Sequence, residues 1–113
     1  MKFSESLKKS KDFQYVYRNG KSIANRYVVV YVLENGTQNN RLGISVSKKV
    51  GNSVVRHRLT RLIRESYRLN EEMFKSGLDI VVVLRTTAKE ISCREAESAL
   101  LHAARIQNIV VEE

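Results

Sequence analysis

The stretch "GNSVVRHRLTRLIRESYR", Gly51 to Arg68, sets five arginines and a histidine against a single carboxylate, Glu65. Like charges one turn apart repel and destabilise an isolated helix. Arginine at this density suits one chemistry well. A guanidinium takes a phosphate through two parallel hydrogen bonds and also stacks on bases. The spacing predicts an amphipathic helix capped by Asn52 or Ser53. Val55, Leu59, Leu62, Ile63, Ser66 and Leu69 fall on one stripe, His57, Arg61, Arg64 and Arg68 lie opposite, and Arg56 and Arg58 border the stripe. The stripe would anchor the helix and aim the cations outward at a polyanion.

Charge along the chain supports that reading. The 113 residues carry a formal net charge of +8. Residues 1–68 hold 15 Lys/Arg and 4 Asp/Glu, a net of +11, whereas residues 69–113 hold 5 and 8, a net of −3. A surface charged only for solubility mixes both signs; a one-sided field attracts polyanions.

Nuclease chemistry by the protein itself finds little support. Metal-dependent nucleases gather carboxylates around two ions, and the basic half has only Glu5, Asp12, Glu34 and Glu65, without clustered spacing. His57 and His102 are the only histidines, and neither has an acid partner suggested by the pattern. Cys93, the lone cysteine, reads as structural and excludes an internal disulfide. No phosphate loop, dinucleotide fingerprint or zinc spacing is present. No catalytic or metal-ligating residue is therefore assigned. The start, MKFSESLKKSKDF, has no apolar run of signal-peptide length, and no segment approaches a membrane span, so a cytoplasmic setting is expected.

The remaining elements must position the helix. With 42% hydrophobic residues and no proline, repeat or linker, residues 1–113 read as one domain. Ser10 is placed as the cap of a helix over Lys11–Arg18, with Phe13, Val16 and Tyr17 on one face and Gly20 as its terminating C′ glycine. Arg26–Glu34 reads as a strand, with "KSIAN" before it as a further short one, and Asn35–Asn40 as a turn. "RLGISVSKK" alternates: Leu42, Ile44 and Val46 on one face, Gly43, Ser45 and Ser47 on the other. "GLDIVVVLR" is apolar on both faces and so belongs in a sheet centre. Ser92 and Glu95 make a capping box for a helix from Cys93 to about Ile106, with Ala96, Ala99, Leu100 and Ala103 buried. The order is α-β-β-(β)-α-β-α, an α+β fold with one small sheet. The small polar face of Gly43, Ser45 and Ser47 beside Val29 and Tyr31 makes a shallow groove, with Phe13 and Tyr17 as a wall. Aromatic platforms of this kind stack unpaired bases, and single-stranded RNA is their usual target.

The segment "RLGISVSKKVGNSVVRHRLTRLIRES" resembles the protein subunit of bacterial ribonuclease P: a lysine pair, Gly-Asn, then a basic helix with an Arg-X-Arg core. "KDFQYVYRNGKSIANRYVVVY", "DIVVVLR" and the final helix match in order and length. His57 stands where the family usually has Asn, Thr60 replaces a usual lysine, and "IQNIVVEE" lacks a basic tail. The resemblance implies a mixed sheet with a left-handed βαβ crossover. It implies an enzyme that removes the 5′ leader of precursor tRNA, in which a large RNA carries the active site and uses Mg²⁺ and the protein holds no cofactor. Phe13, Tyr17, Val29, Tyr31, Ser45, Arg56 and His57 would bind the leader. Lys48, Lys49, Arg58, Arg61, Arg64 and Arg68 would bind the catalytic RNA, with Arg61 and Arg64 strongest. The partners would be that RNA and precursor tRNA, with no membrane or DNA. The alternative is a ribosomal-type or RNA-chaperone protein that binds structured RNA without cleavage. A DNA reader fits poorly, because its recognition helix usually follows another helix and this one follows a strand.

Overall fold

A computed structural model describes residues 1–111; Glu112 and Glu113, at the acidic end of the chain, lie outside the described residues. The element order is β1 (Ser4–Ser6), α1 (Ser10–Asn19), β2 (Lys21–Ala24), β3 (Val28–Glu34), β4 (Asn40–Ser45), α2 (Ser53–Asn70), β5 (Leu78–Leu84) and α3 (Cys93–Ile106), with single 3-10 turns at Glu71–Met73 and Thr86–Ala88. The sheet order is β1-β4-β5-β3-β2. β1, β4 and β5 run parallel, and β3 and β2 pair antiparallel. The βαβ unit is β4–α2–β5.

The two faces of the sheet carry different loads. On one, α2 and α3 cover Val28, Val30, Leu42, Ile80, Val82 and Leu84, with Leu59, Ile63 and Tyr67 of α2 completely buried. On the other, α1 seats Val16 over Val81, with Leu7 beside it. β5 is apolar on both faces because it is central to the sheet and covered on each side. Each fully buried aliphatic side chain contributes roughly 1.5–3 kcal/mol relative to exposure.

Several local expectations change. The cap of α1 is Lys9, without a side-chain bond, and Ser10 is already helical. Gly20 follows α1, but with φ −82° and ψ 165°, an extended backbone and not a left-handed one. Space explains the residue: a Cβ there would lie 2.7 Å from the Val16 carbonyl oxygen and 2.9 Å from that of Val32. β3 starts at Val28 and not Arg26, because the Asn25 side-chain oxygen accepts the amides of Tyr27 and Val28 and turns the chain. β4 stops at Ser45, where its pairing with β5 ends at Val83. In α2 the stripe centres on Leu59, Ile63, Ser66 and Tyr67; Val55 and Leu62 are half-buried, and Leu69 is 62% exposed.

β1 was not anticipated, since Ser-Glu-Ser has no apolar pattern. Polar contacts from distant residues hold it. The Glu71 carboxylate, only 6% exposed, accepts the amides of Lys2 (2.8 Å) and Phe3 (2.9 Å). The hydroxyls of Ser4 and Tyr67 share a 2.7 Å bond, and Asn40 donates to the Tyr67 hydroxyl at 3.2 Å. Asn40 also donates to the Lys75 carbonyl and accepts the Leu78 amide. One buried polar cluster thus ties the start of the chain to the end of α2 and the entry of β5.

Ile63→Ala is expected to cost about 2–5 kcal/mol in urea unfolding, through lost transfer energy and a cavity under α2; a loss well under 1 kcal/mol would contradict this packing. Burial pushes the Glu71 carboxyl up, but the bonds from Ser4, Lys2 and Phe3 outweigh it and hold it below its ordinary 4.5. Its contribution is therefore present above that value and lost as pH falls through the lower folded pKa. The stability gap between wild type and Glu71→Gln should be widest at neutral pH and narrow below pH 4.5. A gap independent of pH would exclude the ionised carboxylate as the tie.

Candidate nucleic-acid interface

Asn52 caps α2, its side chain accepting the Val55 amide at 3.0 Å. The stripe then fixes the rotation of the helix, and rotation decides what each cation meets. His57, Arg61 and Arg64 are exposed, and among the described residues none has a carboxylate within ion-pair distance. Arg58, Arg61, Leu62, Arg64, Glu65 and Cys93 line an open depression of about 520 Å³. Arg58 spends one N–H on the Ile91 carbonyl at 2.5 Å, which orients its guanidinium without cancelling the charge.

Arg68 of the basic segment and Arg41 on β4 are neutralised internally. Arg68 pairs with Glu65 through bonds of 2.9 and 2.5 Å on the exposed face, a pairing that holds the Glu65 carboxyl below its ordinary value. Salt screens exposed pairs of this kind, so this one is open to exchange. Arg41 is different. It makes two bonds, 2.8 and 2.6 Å, to the buried Asp79, and stands 3.7 Å from Asp12. Arg41 is a structural cation joining β4, β5 and α1. Lys48 and Lys49 are exposed on the turn before α2, a turn anchored by the buried Val50 and closed by the Val50 amide on the Ser47 carbonyl.

The sheet face under α1 holds the other predicted set. Phe13 lies on Gly43 so closely that a Cβ at 43 would meet its ring at 2.8 Å. Tyr17 meets Tyr31 edge-on at 4.9 Å and Phe13 at 6.3 Å. All three rings are half-buried. Phe13 is thus both packing and wall. Register places Gly43, Val81 and Tyr31 in one row and Ser45, Val83 and Val29 in the next, extended to Ala24 on β2. The small polar strand is therefore not beside Val29 and Tyr31: β5 runs between them, and Val81 and Val83 intervene. Val83 and Ala24 are floor residues that sequence reasoning missed, since the strand order decides their place. Ser47 lies beyond the end of β4.

Arg56 is half-buried, and its Nε is enclosed without a hydrogen-bond acceptor among the described residues. An enclosed guanidinium N–H without an acceptor is costly unless a ligand satisfies it. Among the described residues no three of His, Cys, Asp and Glu approach closely enough to hold a metal ion.

A family model described as Ribonuclease P matches residues 1–107. The chain belongs to the ribonuclease P protein family. It is 61% identical over 107 residues to the ribonuclease P protein component of Lachnoclostridium phytofermentans, spanning 95% of this chain and 92% of that one. It is 42% identical to that of Clostridioides difficile, spanning 96% of each. Its fold superposes on the solved RNase P protein of Staphylococcus aureus with a TM-score of 0.87 at 38% identity, over 95% of this chain and 98% of that one. For the Thermotoga maritima protein the TM-score is 0.82 at 34% identity, over 89% and 96%. The α+β architecture expected from the sequence is therefore the architecture of the family.

Removing one side chain that neutralises a phosphate lowers the slope of log K against log salt by roughly 0.9. Arg61→Ala and Arg64→Ala should each lower the slope for binding structured RNA by about that amount. Arg68→Ala should change it less, since Glu65 already holds that guanidinium. Unchanged slopes for the first two would place them off the interface.

Proposed function

We propose that this chain works as the protein subunit of a ribonuclease P holoenzyme, the assembly that cuts precursor tRNA to its mature 5′ end. In this reading α2, with Lys48 and Lys49 before it, holds the large catalytic RNA through Arg58, Arg61, Arg64 and Arg68. The sheet face under α1 takes the single-stranded 5′ leader on Val29 and Ser45, walled by Phe13, Tyr17 and Tyr31, with Arg56 and His57 beside it. The cleavage chemistry, including Mg²⁺, belongs to the RNA. The protein's own residues bind and orient.

The observation that carries this reading is a pair of features on one rigid frame. A helix clamped by fully buried Leu59, Ile63 and Tyr67 presents exposed His57 with Arg61 and Arg64, which pair with no acid among the described residues. The same βαβ unit supplies Ser45 to a half-buried aromatic face. Structured RNA is held by phosphate contacts, whereas an unpaired strand is held by stacking at roughly 1–3 kcal/mol per base. One subunit can thus prefer a substrate that still has its leader over a product that has lost it. No helix is long and apolar enough to cross a membrane among the described residues, and family membership makes RNA the partner to test first.

Reconstitution with a large catalytic RNA of this class should raise precursor cleavage at low Mg²⁺. In that system Tyr17→Ala and Phe13→Ala should weaken precursor binding about five-fold or more while leaving mature tRNA unchanged. Equal loss for both would favour an RNA chaperone and contradict leader binding. Circular dichroism checks that Phe13→Ala, which uncovers Gly43, still folds.

A further inference from the structure

The floor row Ser45, Val83, Val29, Ala24 crosses four strands, about 14 Å of sheet. It ends at β2, the edge strand. The next residues, Asn25 to Tyr27, turn the chain over that edge toward α3. There a depression of about 360 Å³ opens, lined by Arg26, Tyr27, Arg94, Glu95, Ser98 and His102 over Ala99. Nothing in the RNA contacts assigned above uses it.

Its chemistry is set by hydrogen bonds. The Asn25 side-chain oxygen is spent on the amides of Tyr27 and Val28, so its nitrogen faces α3. That NH₂ donates one hydrogen to the Ala99 carbonyl at 2.9 Å and the other to His102 Nδ1 at 3.2 Å. His102 Nδ1 must therefore accept, and Nε2 carries the proton and acts as a donor. Glu95, held by the Tyr27 hydroxyl and the Ser92 amide, supplies a carboxylate acceptor. Glu95, Ser98, Ala99 and His102 share one face of α3. Arg26 stands 5.3 Å over the Tyr27 ring. Arg26 and Arg94 have no carboxylate within ion-pair distance among the described residues.

We propose that this depression is a second nucleotide-accepting site, taking one base of the leader after the strand has crossed the sheet; the inference rests on the leader reading above. The arginine-backed tyrosine face stacks the base. His102 Nε2–H donates to a ring acceptor and the Glu95 carboxylate accepts an adjacent N–H on the base edge, a pair that cytosine offers as N3 and its amino group and uracil as O4 and N3–H. Arg94 and Arg26 take the flanking phosphate.

Two measurements decide it, and the proposal stands only if both agree. In the holoenzyme, a leader extended beyond the sheet should bind about tenfold tighter than one just long enough to cross it. Ser98→Trp, which fills the depression from an exposed position, and Arg26→Ala should each abolish that gain and leave short-leader affinity unchanged. No gain in wild type, or a gain that survives both variants, overturns the site; equal loss at both leader lengths assigns these residues to the catalytic RNA and overturns it too. Separately, titrating the free chain with cytidine monophosphate should shift the His102 ring resonances. Ser98→Trp should abolish the effect. An unmoved His102 ring overturns the site even if precursor preference holds. Absence of precursor preference for short leaders in wild type would instead sink the leader reading and, with it, this inference.

Discussion

The attachment of α2 to the sheet is the constraint on which the rest depends. Three fully buried side chains at i, i+4 and i+8, Leu59, Ile63 and Tyr67, leave the helix one rotation about its axis. Once that rotation is fixed, the positions of His57, Arg61 and Arg64 follow. Among the described residues no acid pairs with Arg61 or Arg64; Asp79 is committed to Arg41, Glu71 to the chain start and Glu95 to a cap and a tyrosine. Like-charge strain on α2 is retained in the free protein, which is what a surface built for a polyanion requires. A preformed array also loses less conformational entropy on binding than arginines on a loop would.

The polar network around Tyr67 links this helix to the sheet at its other end. Ser4 and Asn40 both bond the buried Tyr67 hydroxyl, and Glu71 takes amides at the start of the chain. Satisfied networks of this kind specify one arrangement, because a partly broken one leaves costly unpaired groups. β1 and the end of α2 are therefore locked together. Division of the sheet into a thickly covered face and a face with one short helix has a functional counterpart. The first builds stability, and the second leaves an aromatic-walled floor open beside α1.

Much of this was legible in the residues. The cap at Asn52, the capping box at Ser92 and Glu95, the two-faced apolarity of β5 and the packing face of α1 are all local patterns, and each matches the structure. What was not legible was pairing between distant segments. Nothing in "RLGISVS" or "RYVVVYV" says that β5 runs between them, so Val83 and Ala24 were absent from the expected floor. Tyr67 is absent from the expected stripe although it follows Ile63 by one turn; its hydroxyl is satisfied inside by Ser4 and Asn40. Leu69 fits the period, yet it is exposed in the last turn of α2. Charge counting alone also does not separate Arg41 from the other cations of the first half, yet it is a structural partner of the buried Asp79.

The most direct measurement is a high-resolution structure of this chain bound to a catalytic RNA of the ribonuclease P class. The account predicts an unshifted α2 with the Arg61 and Arg64 guanidinium groups within hydrogen-bond distance of backbone phosphates. A complex in which those two side chains face solvent, with RNA held by another surface, would contradict it.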